Sequence, residues 1–242
     1  DAVVLVVTIR ALKLHSGNYR VVPGKPLPPN MLEENLADVE AGAANMVHHI
    51  QTIKKHGVTP VVAINRFADD TDAEIELVKR IAVEAGAYGA AEARHFSEGG
   101  AGATELAELV VNACDEPSEF QFLYDLDQPL TEKIETIARE VYGAADVSYE
   151  SLAASQLRRY EKSGFGKLPI CMAKTHLSIS HDPSLKGAPS GFTLPIREVR
   201  ASIGAGFIYP LVGDMRTMPG LSASPAAEQI DLDENGEIVG LF

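Results

Sequence analysis

Two short, continuous runs of aliphatic residues, 2–8 and 60–64, flank a long stretch whose apolar residues recur at helical spacing. Few architectures accommodate that alternation. A strand-length run with no polar interruption suits burial on both faces, which is the situation of strands in a parallel sheet covered by crossover helices. Between the runs, Leu36, Val39, Ala43, Met46, Val47, Ile50 and Ile53 predict a helix over 35–55, stopped by Gly57. A second helix is expected over 72–85, with Thr71 as N-cap, Asp72 and Glu74 in its first turn, and Gly86 as its end. A short strand within 87–94, a glycine-rich loop and a helix over 103–114 complete a repeating β-α-β layout.

Residues 115–127 turn acidic and aromatic, with Pro117 and Pro129 as punctuation, so a boundary is expected there. Beyond it, helical periodicity covers 130–141 and 149–163, and 168–172, 193–202 and 207–211 read as strands. The expected fold class is therefore α/β: a parallel sheet with flanking helices over 1–115, then a smaller α/β domain over 116–242. A length of 242 residues is enough for one large core or two modest ones. Near the end, Asp231 to Gly236 imitates the opening of a calcium-binding loop, but position twelve is Phe242 rather than a bidentate Glu. A hairpin turning on Asn235-Gly236 is expected instead.

A formal net charge of -13 disfavours nucleic acid and anionic membrane as partners. No apolar run approaches the roughly 20 residues that span a bilayer, and no secretory leader is recognisable, so a cytoplasmic setting is expected. The chain opens at Asp1 directly into its first aliphatic run, without Met, as expected of a piece of a longer polypeptide. Cys114 and Cys171 lack any C-x-x-C or histidine companion and are expected to be reduced, buried thiols. The seven histidines show no metal-ligand spacing, so no metal site is expected, and no G-x-S-x-G elbow occurs.

Two strand-to-helix junctions carry candidate chemistry. Asn65, Arg66 and Phe67 fall at the carboxyl edge of the second strand, the edge at which open α/β sheets bind ligands. An Asn amide matches the donor and acceptor of a purine edge, and Phe67 offers a surface for a flat ring. The same spacing fits a polar turn with Phe67 packed into the core. The second junction is His95-Phe96-Ser97-Glu98-Gly99-Gly100-Ala101-Gly102-Ala103, whose glycines permit close backbone approach to a ligand. It lacks the pattern of a phosphate loop, so a flexible turn that merely begins a helix is the default reading. Gly24-Lys25 is followed by Pro26 and Gly166-Lys167 by Leu168, so neither supplies the hydroxyl of a P-loop.

Several ordered blocks resemble one enzyme family, formate–tetrahydrofolate ligase. They are Asp1 to Leu5 with Arg10-Ala11-Leu12-Lys13, Val62 to Phe67 with Asp70 to Ile75, and Phe122 to Leu126. The series continues with Gly164 to Thr175, Gly191 to Arg200, and the tail from Met218-Pro219-Gly220-Leu221 to Leu241-Phe242. The resemblance implies a fold related to P-loop proteins, with the phosphate loop and catalytic Lys and Arg groups in an N-terminal half outside this chain. It implies formate, tetrahydrofolate and ATP with Mg2+ as substrates, no tightly bound cofactor, and a homo-oligomeric enzyme. It also implies that Phe67 and Phe96 stack on the folate ring, Phe96 standing where Trp is commoner and Ala68 where Pro is common. Asn65, Ser97, Gly99 and Gly100 become candidates for nucleotide contact, while Lys174, Thr175, His176 and the loop 214–223 could face the site. No catalytic residue is assigned within the chain. The alternative is that this segment chiefly supplies a structural and oligomerisation scaffold.

Overall fold

The computed structural model describes residues 1–22, 25–173, 178–213, 223–236 and 238–240. Strands β1 (Ala2–Val7), β2 (Thr59–Asn65) and β3 (Gly89–Ala93) form a parallel sheet in that order. Helices α1 (Ile9–His15), α2 (Pro29–Leu32) and α3 (Leu36–Lys55) lie between β1 and β2, and α4 (Asp72–Glu84) connects β2 to β3. Val62 and Ile64 of β2 pack with Leu12, Val39, Met46, Ile50, Ile75 and Val78 in one hydrophobic cluster. This core holds one face of the sheet against α1, α3 and α4.

The opposite face carries Val61, Ala63, Ala91 and Ala93, all buried. Between β3 and the helix that covers this face lie two short helical turns, α5 (His95–Glu98) and a 3-10 turn over Gly99–Ala103. The covering helix is α6 (Thr104–Cys114), and a Cβ on Gly89 would come within 2.7 Å of Leu109. Small residues in β3 are thus what let the helix approach. Val4 and Val6 pair in register with Val61 and Ala63, so they point to this same face, yet they are 40% and 63% exposed. The expected burial of the first strand on both faces is corrected for the described residues: among them β1 is at the edge of the sheet, and α6 lies chiefly over its neighbours.

Local signals set the helix ends: the cap at Thr71 and the stops at Gly57 and Gly86 fall where expected, whereas Asn35, expected as the first residue of its helix, is the N-cap. Thr71 and Glu74 form a reciprocal capping box at the start of α4, and Asn35 caps α3 by accepting from the Asp38 N–H at 3.0 Å. Gly57, at φ +72°, ends α3, and a Cβ there would strike the Glu119 carbonyl at 2.1 Å. Residues 119–121 lie against that turn, and His56, Phe120, Phe122 and Tyr124 form a chain of ring contacts 5.5–6.0 Å apart.

A second hydrophobic cluster gathers residues from Leu130 to Val212. It joins α7 (Leu130–Glu140) and α8 (Ser151–Lys162) to a sheet in which β4 (Asp146–Tyr149) runs parallel to β5 (Thr193–Ser202), and β5 antiparallel to β6 (Phe207–Val212). Three expectations need correction. β4 was not anticipated, because four residues with every second one exposed carry little periodic signal. Residues 168–172 are not a strand; Ile170 makes one isolated parallel bridge to Ile208 of β6, Ala173 makes another to Leu211, and Pro210 between them supplies no N–H for a continuous ladder. Both cysteines are exposed rather than buried, and neither is a member of the two hydrophobic clusters.

The two clusters touch through polar contacts. Asn45 donates to Ser178 Oγ at 2.8 Å and to the Gly187 carbonyl at 2.9 Å, and His48 Nε2 lies 2.6 Å from the Val141 carbonyl. A two-stranded hairpin of β7 (Asp231–Leu232) and β8 (Ile238–Val239) turns near Gly236, φ +81°, as Asn235-Gly236 predicts. Lys174, Thr175, His176 and residues 214–222 lie outside the described residues.

Candidate functional site

The carboxyl ends of β2 and β3 adjoin, since Asn65 pairs in register with Ala93. Strands in a sheet are about 4.8 Å apart, so side chains leaving these two ends share one edge. Phe67 and Phe96 both stand out there, 36% and 86% exposed. Neither ring is packed into the core, so the reading of Phe67 as a core residue behind a polar turn is not what the fold contains.

The loop bearing Phe67 is fixed from several sides. Its backbone N–H donates to Asp70 Oδ2 at 2.8 Å, and the Asp70 N–H returns a bond to the Phe67 carbonyl at 3.1 Å. Burial pushes the Asp70 carboxyl above its usual range, against the Phe67 N–H and the Arg10 charge. Arg66 donates to Glu92 at 2.9 Å, to Asp72 at 2.7 Å and to the Asp70 carbonyl at 3.2 Å. Glu92 in turn accepts from Arg94 at 2.8 Å. Burial pushes Glu92 upward, but the two guanidinium partners outweigh it and hold the carboxyl below its ordinary value. One carboxylate thereby ties the junction after β2 to the junction after β3.

Below the edge lies a buried ion pair. Lys13 Nζ meets Glu74 Oε1 at 2.7 Å, the side chains 2% and 0% exposed, and also donates to the carbonyls of Met31 and Glu33. Glu74 accepts from the backbone of Asn35 at 2.9 Å as well as Thr71 at 3.2 Å. Asp38 accepts from Asn18, Tyr19 and Asn35 close by, and the Tyr19 hydroxyl is the main cause holding its carboxyl low. These groups brace the starts of α3 and α4. Sequence reasoning missed both Lys13–Glu74 and Arg66–Glu92 as pairs. Glu74 was legible as a capping residue, but its partner is 61 positions away in the chain.

The second junction differs from the expected open glycine loop. Phe96 and Ser97 lie in α5, and Gly99 and Gly100 in the 3-10 turn that follows. Ser97 Oγ is spent on the Arg94 carbonyl at 3.2 Å. Gly99 needs its glycine for φ +62°, and Gly102 because a Cβ would meet the Arg94 carbonyl at 2.6 Å; Gly100 faces open space. Gly100 also lines an open groove of about 560 Å³ with Ala103, Thr104, Ala107 and Val111, along α6. That groove includes none of Asn65, Phe67, Phe96, Ser97 and Gly99. The structure thus joins Asn65 and Phe67 at one strand end and Phe96, Ser97 and Gly99 at its neighbour, with Gly100 turned toward α6.

Among the described residues no set of three or more His, Cys, Asp and Glu side chains is grouped as metal ligands, and no helix is long and apolar enough to cross a membrane. The arrangement offers two exposed aromatic rings and an amide on a braced edge, suited to holding a flat heterocycle by stacking.

Comparison with known proteins agrees on a single family. The family model for formate–tetrahydrofolate ligase matches residues 1–242. The chain is 61% identical over 240 residues to a formate–tetrahydrofolate ligase of Herpetosiphon aurantiacus, covering 99% of this chain and 42% of that relative. It is 61% identical over 241 residues to the ligase of Saccharopolyspora erythraea and 58% identical over 241 residues to that of a Roseiflexus species, covering 42% and 43% of those proteins. The chain therefore spans less than half the length of the curated relatives it matches, and over all 242 of its residues it belongs to the formate–tetrahydrofolate ligase family.

Proposed function

We propose that this chain is the C-terminal portion of a formate–tetrahydrofolate ligase and supplies the stacking wall of its folate pocket, with part of the nucleotide pocket. The parent reaction uses ATP with Mg2+ to phosphorylate formate. The tetrahydrofolate amine then attacks formyl phosphate, giving formyltetrahydrofolate, ADP and phosphate. Phosphorylation turns a poor acyl donor into one with a good leaving group, so the protein's task is positioning and charge neutralisation. Residues 1–115 belong in this reading to a P-loop-related domain whose phosphate grip lies elsewhere in the polypeptide, and 116–242 form a smaller α/β domain. Phe67 and Phe96 take the folate ring; Asn65, Ser97, Gly99 and Gly100 face the nucleotide. The parent enzyme is cytoplasmic and homo-oligomeric.

One observation carries the reading: two aromatic rings stand exposed on adjacent carboxyl ends of a parallel sheet, in a chain whose relatives are named for a folate substrate. Calorimetric titration of the chain with tetrahydrofolate, beside Phe67→Ala, tests it. Binding abolished by the substitution supports a stacking wall that works within this chain. Unchanged binding by Phe67→Ala would remove Phe67 from the pocket. The chain alone is expected to make no formyltetrahydrofolate, and turnover by it would contradict the placement of the phosphate grip.

A second reading, a scaffold for assembly, draws on the exposed Val4, Val6 and Val111 beside the groove along α6. An uncovered aliphatic face of this kind is a surface for another element to pack on.

A further inference from the structure

The guanidinium carbon of Arg10 lies 3.6 Å from the centroid of the Phe67 ring. Arg10 sits in the first turn of α1, just after the carboxyl end of β1, and reaches across to the end of β2. Its Nε is buried and makes no hydrogen bond among the described residues. Its ion-pair contact, with Asp69, is long at 3.9 Å, and the Asp69 side chain is 54% exposed. The guanidinium is therefore held against the ring chiefly by stacking, and a partly desolvated cation over an aromatic face is where that attraction is strongest.

We infer that Arg10 is a positioning residue for the folate-stacking platform: it occupies one face of Phe67, fixes the ring's orientation, and leaves only the opposite face to a flat ligand. This rests on the reading of Phe67 as a folate contact. The guanidinium also draws ring electron density toward itself, so the far face of Phe67 becomes less repulsive to an electron-rich heterocycle. Arg10 touches no reacting atom. The anchored loop gives it a defined target, since Asp70 and Arg66 hold the backbone on either side of the ring.

The test uses the complete enzyme containing this chain, with Arg10→Met, Arg10→Lys, Phe67→Ala and the double variant Arg10→Met with Phe67→Ala. Methionine keeps an unbranched apolar stem and removes the cation. Arg10→Met is expected to raise the KM for tetrahydrofolate by about three- to tenfold. The KM for ATP should stay unchanged and kcat at saturating folate should fall far less, because only ground-state and transition-state stacking are lost together. In the Phe67→Ala background, Arg10→Met should add nothing. Arg10→Lys, which returns a cation to the ring, should recover part of the loss; if the methionine variant does not fold, Arg10→Gln supplies the readout, and wild-type folate KM in the glutamine variant would overturn the inference. A tenfold change from Phe67→Ala with none from Arg10→Met would refute the role of Arg10 and leave the folate pocket standing. No effect from Phe67→Ala would bring down the pocket and Arg10 with it. Additive effects in the double variant would mean that Arg10 acts elsewhere.

Discussion

Replacing Glu74 with alanine is expected to destabilise the protein by about 3–5 kcal/mol, the range for removing one member of a buried ion pair. The figure follows from what is left behind. Lys13 is 2% exposed and keeps, among the described residues, the carbonyls of Met31 and Glu33 as hydrogen-bond partners, so its charge loses its paired carboxylate in place. The N–H groups of Asn35 and Thr71 lose their carboxylate acceptor at the same time, each worth about 1–3 kcal/mol if it stays buried and unmet. Water entering the cavity offsets part of that sum. Because the sequence contains no Trp, urea unfolding is best followed by far-ultraviolet circular dichroism. The pH dependence gives a second reading. Burial pushes the Glu74 carboxyl up, but hydrogen bonds from Lys13, Asn35 and Thr71 and the Lys13 charge outweigh it, so the folded value lies below the ordinary one. A depressed carboxyl contributes its full stability above the unfolded pKa of about 4.3 and loses it as pH falls through the folded value. Wild type should therefore lose stability on acidification more steeply than Glu74→Ala. Replacing Lys13 and Glu74 together by Met and Leu should recover most of the loss. A cost under about 1 kcal/mol for Glu74→Ala, with parallel acid limbs, would mean that the pair is not a fixed brace under the edge.

Asp70→Ala should cost about 1–3 kcal/mol by orphaning the Phe67 N–H, whereas Asp70→Asn, which keeps an acceptor, should be close to neutral. Burial raises the Asp70 carboxyl in the folded state, so its contribution favours folding at low pH and is lost as pH rises through the unfolded and then the folded value; Asp70→Asn should flatten that slope in urea titrations across the acid range. Gly42→Ala should destabilise by about 1–3 kcal/mol in thermal unfolding despite the better helix propensity of alanine. A Cβ at that position would sit 1.8 Å from the Leu12 carbonyl, at the crossing of α1 and α3. Cys114 and Cys171 should both react with a thiol reagent in the native protein without a lag, in contrast to the slow, unfolding-limited reaction of buried thiols.

Features governed by neighbours a few residues away were legible in the sequence by itself. Thr71 as a cap with Glu74 in the first turn, the stops at Gly57 and Gly86, and the Asn235-Gly236 turn depend on backbone geometry within one turn of the chain, and the structure contains each of them. The parallel arrangement of the first three strands, though not their order, was legible for the same reason, since aliphatic runs joined by amphipathic helices leave few alternatives. The placement of Phe67 and Phe96 at carboxyl strand ends follows from that arrangement. What the tertiary structure alone decided depends on partners distant along the chain. Val4 and Val6 are exposed because α6 lies over β2 and β3, which no property of β1 announces. Residues 168–172 bridge β6 without forming a strand because Pro210 lies opposite them. Lys13 finds Glu74 and Arg10 finds Phe67 only once β1 and β2 align, because pairing across a parallel sheet brings together residues that a whole crossover helix separates in sequence.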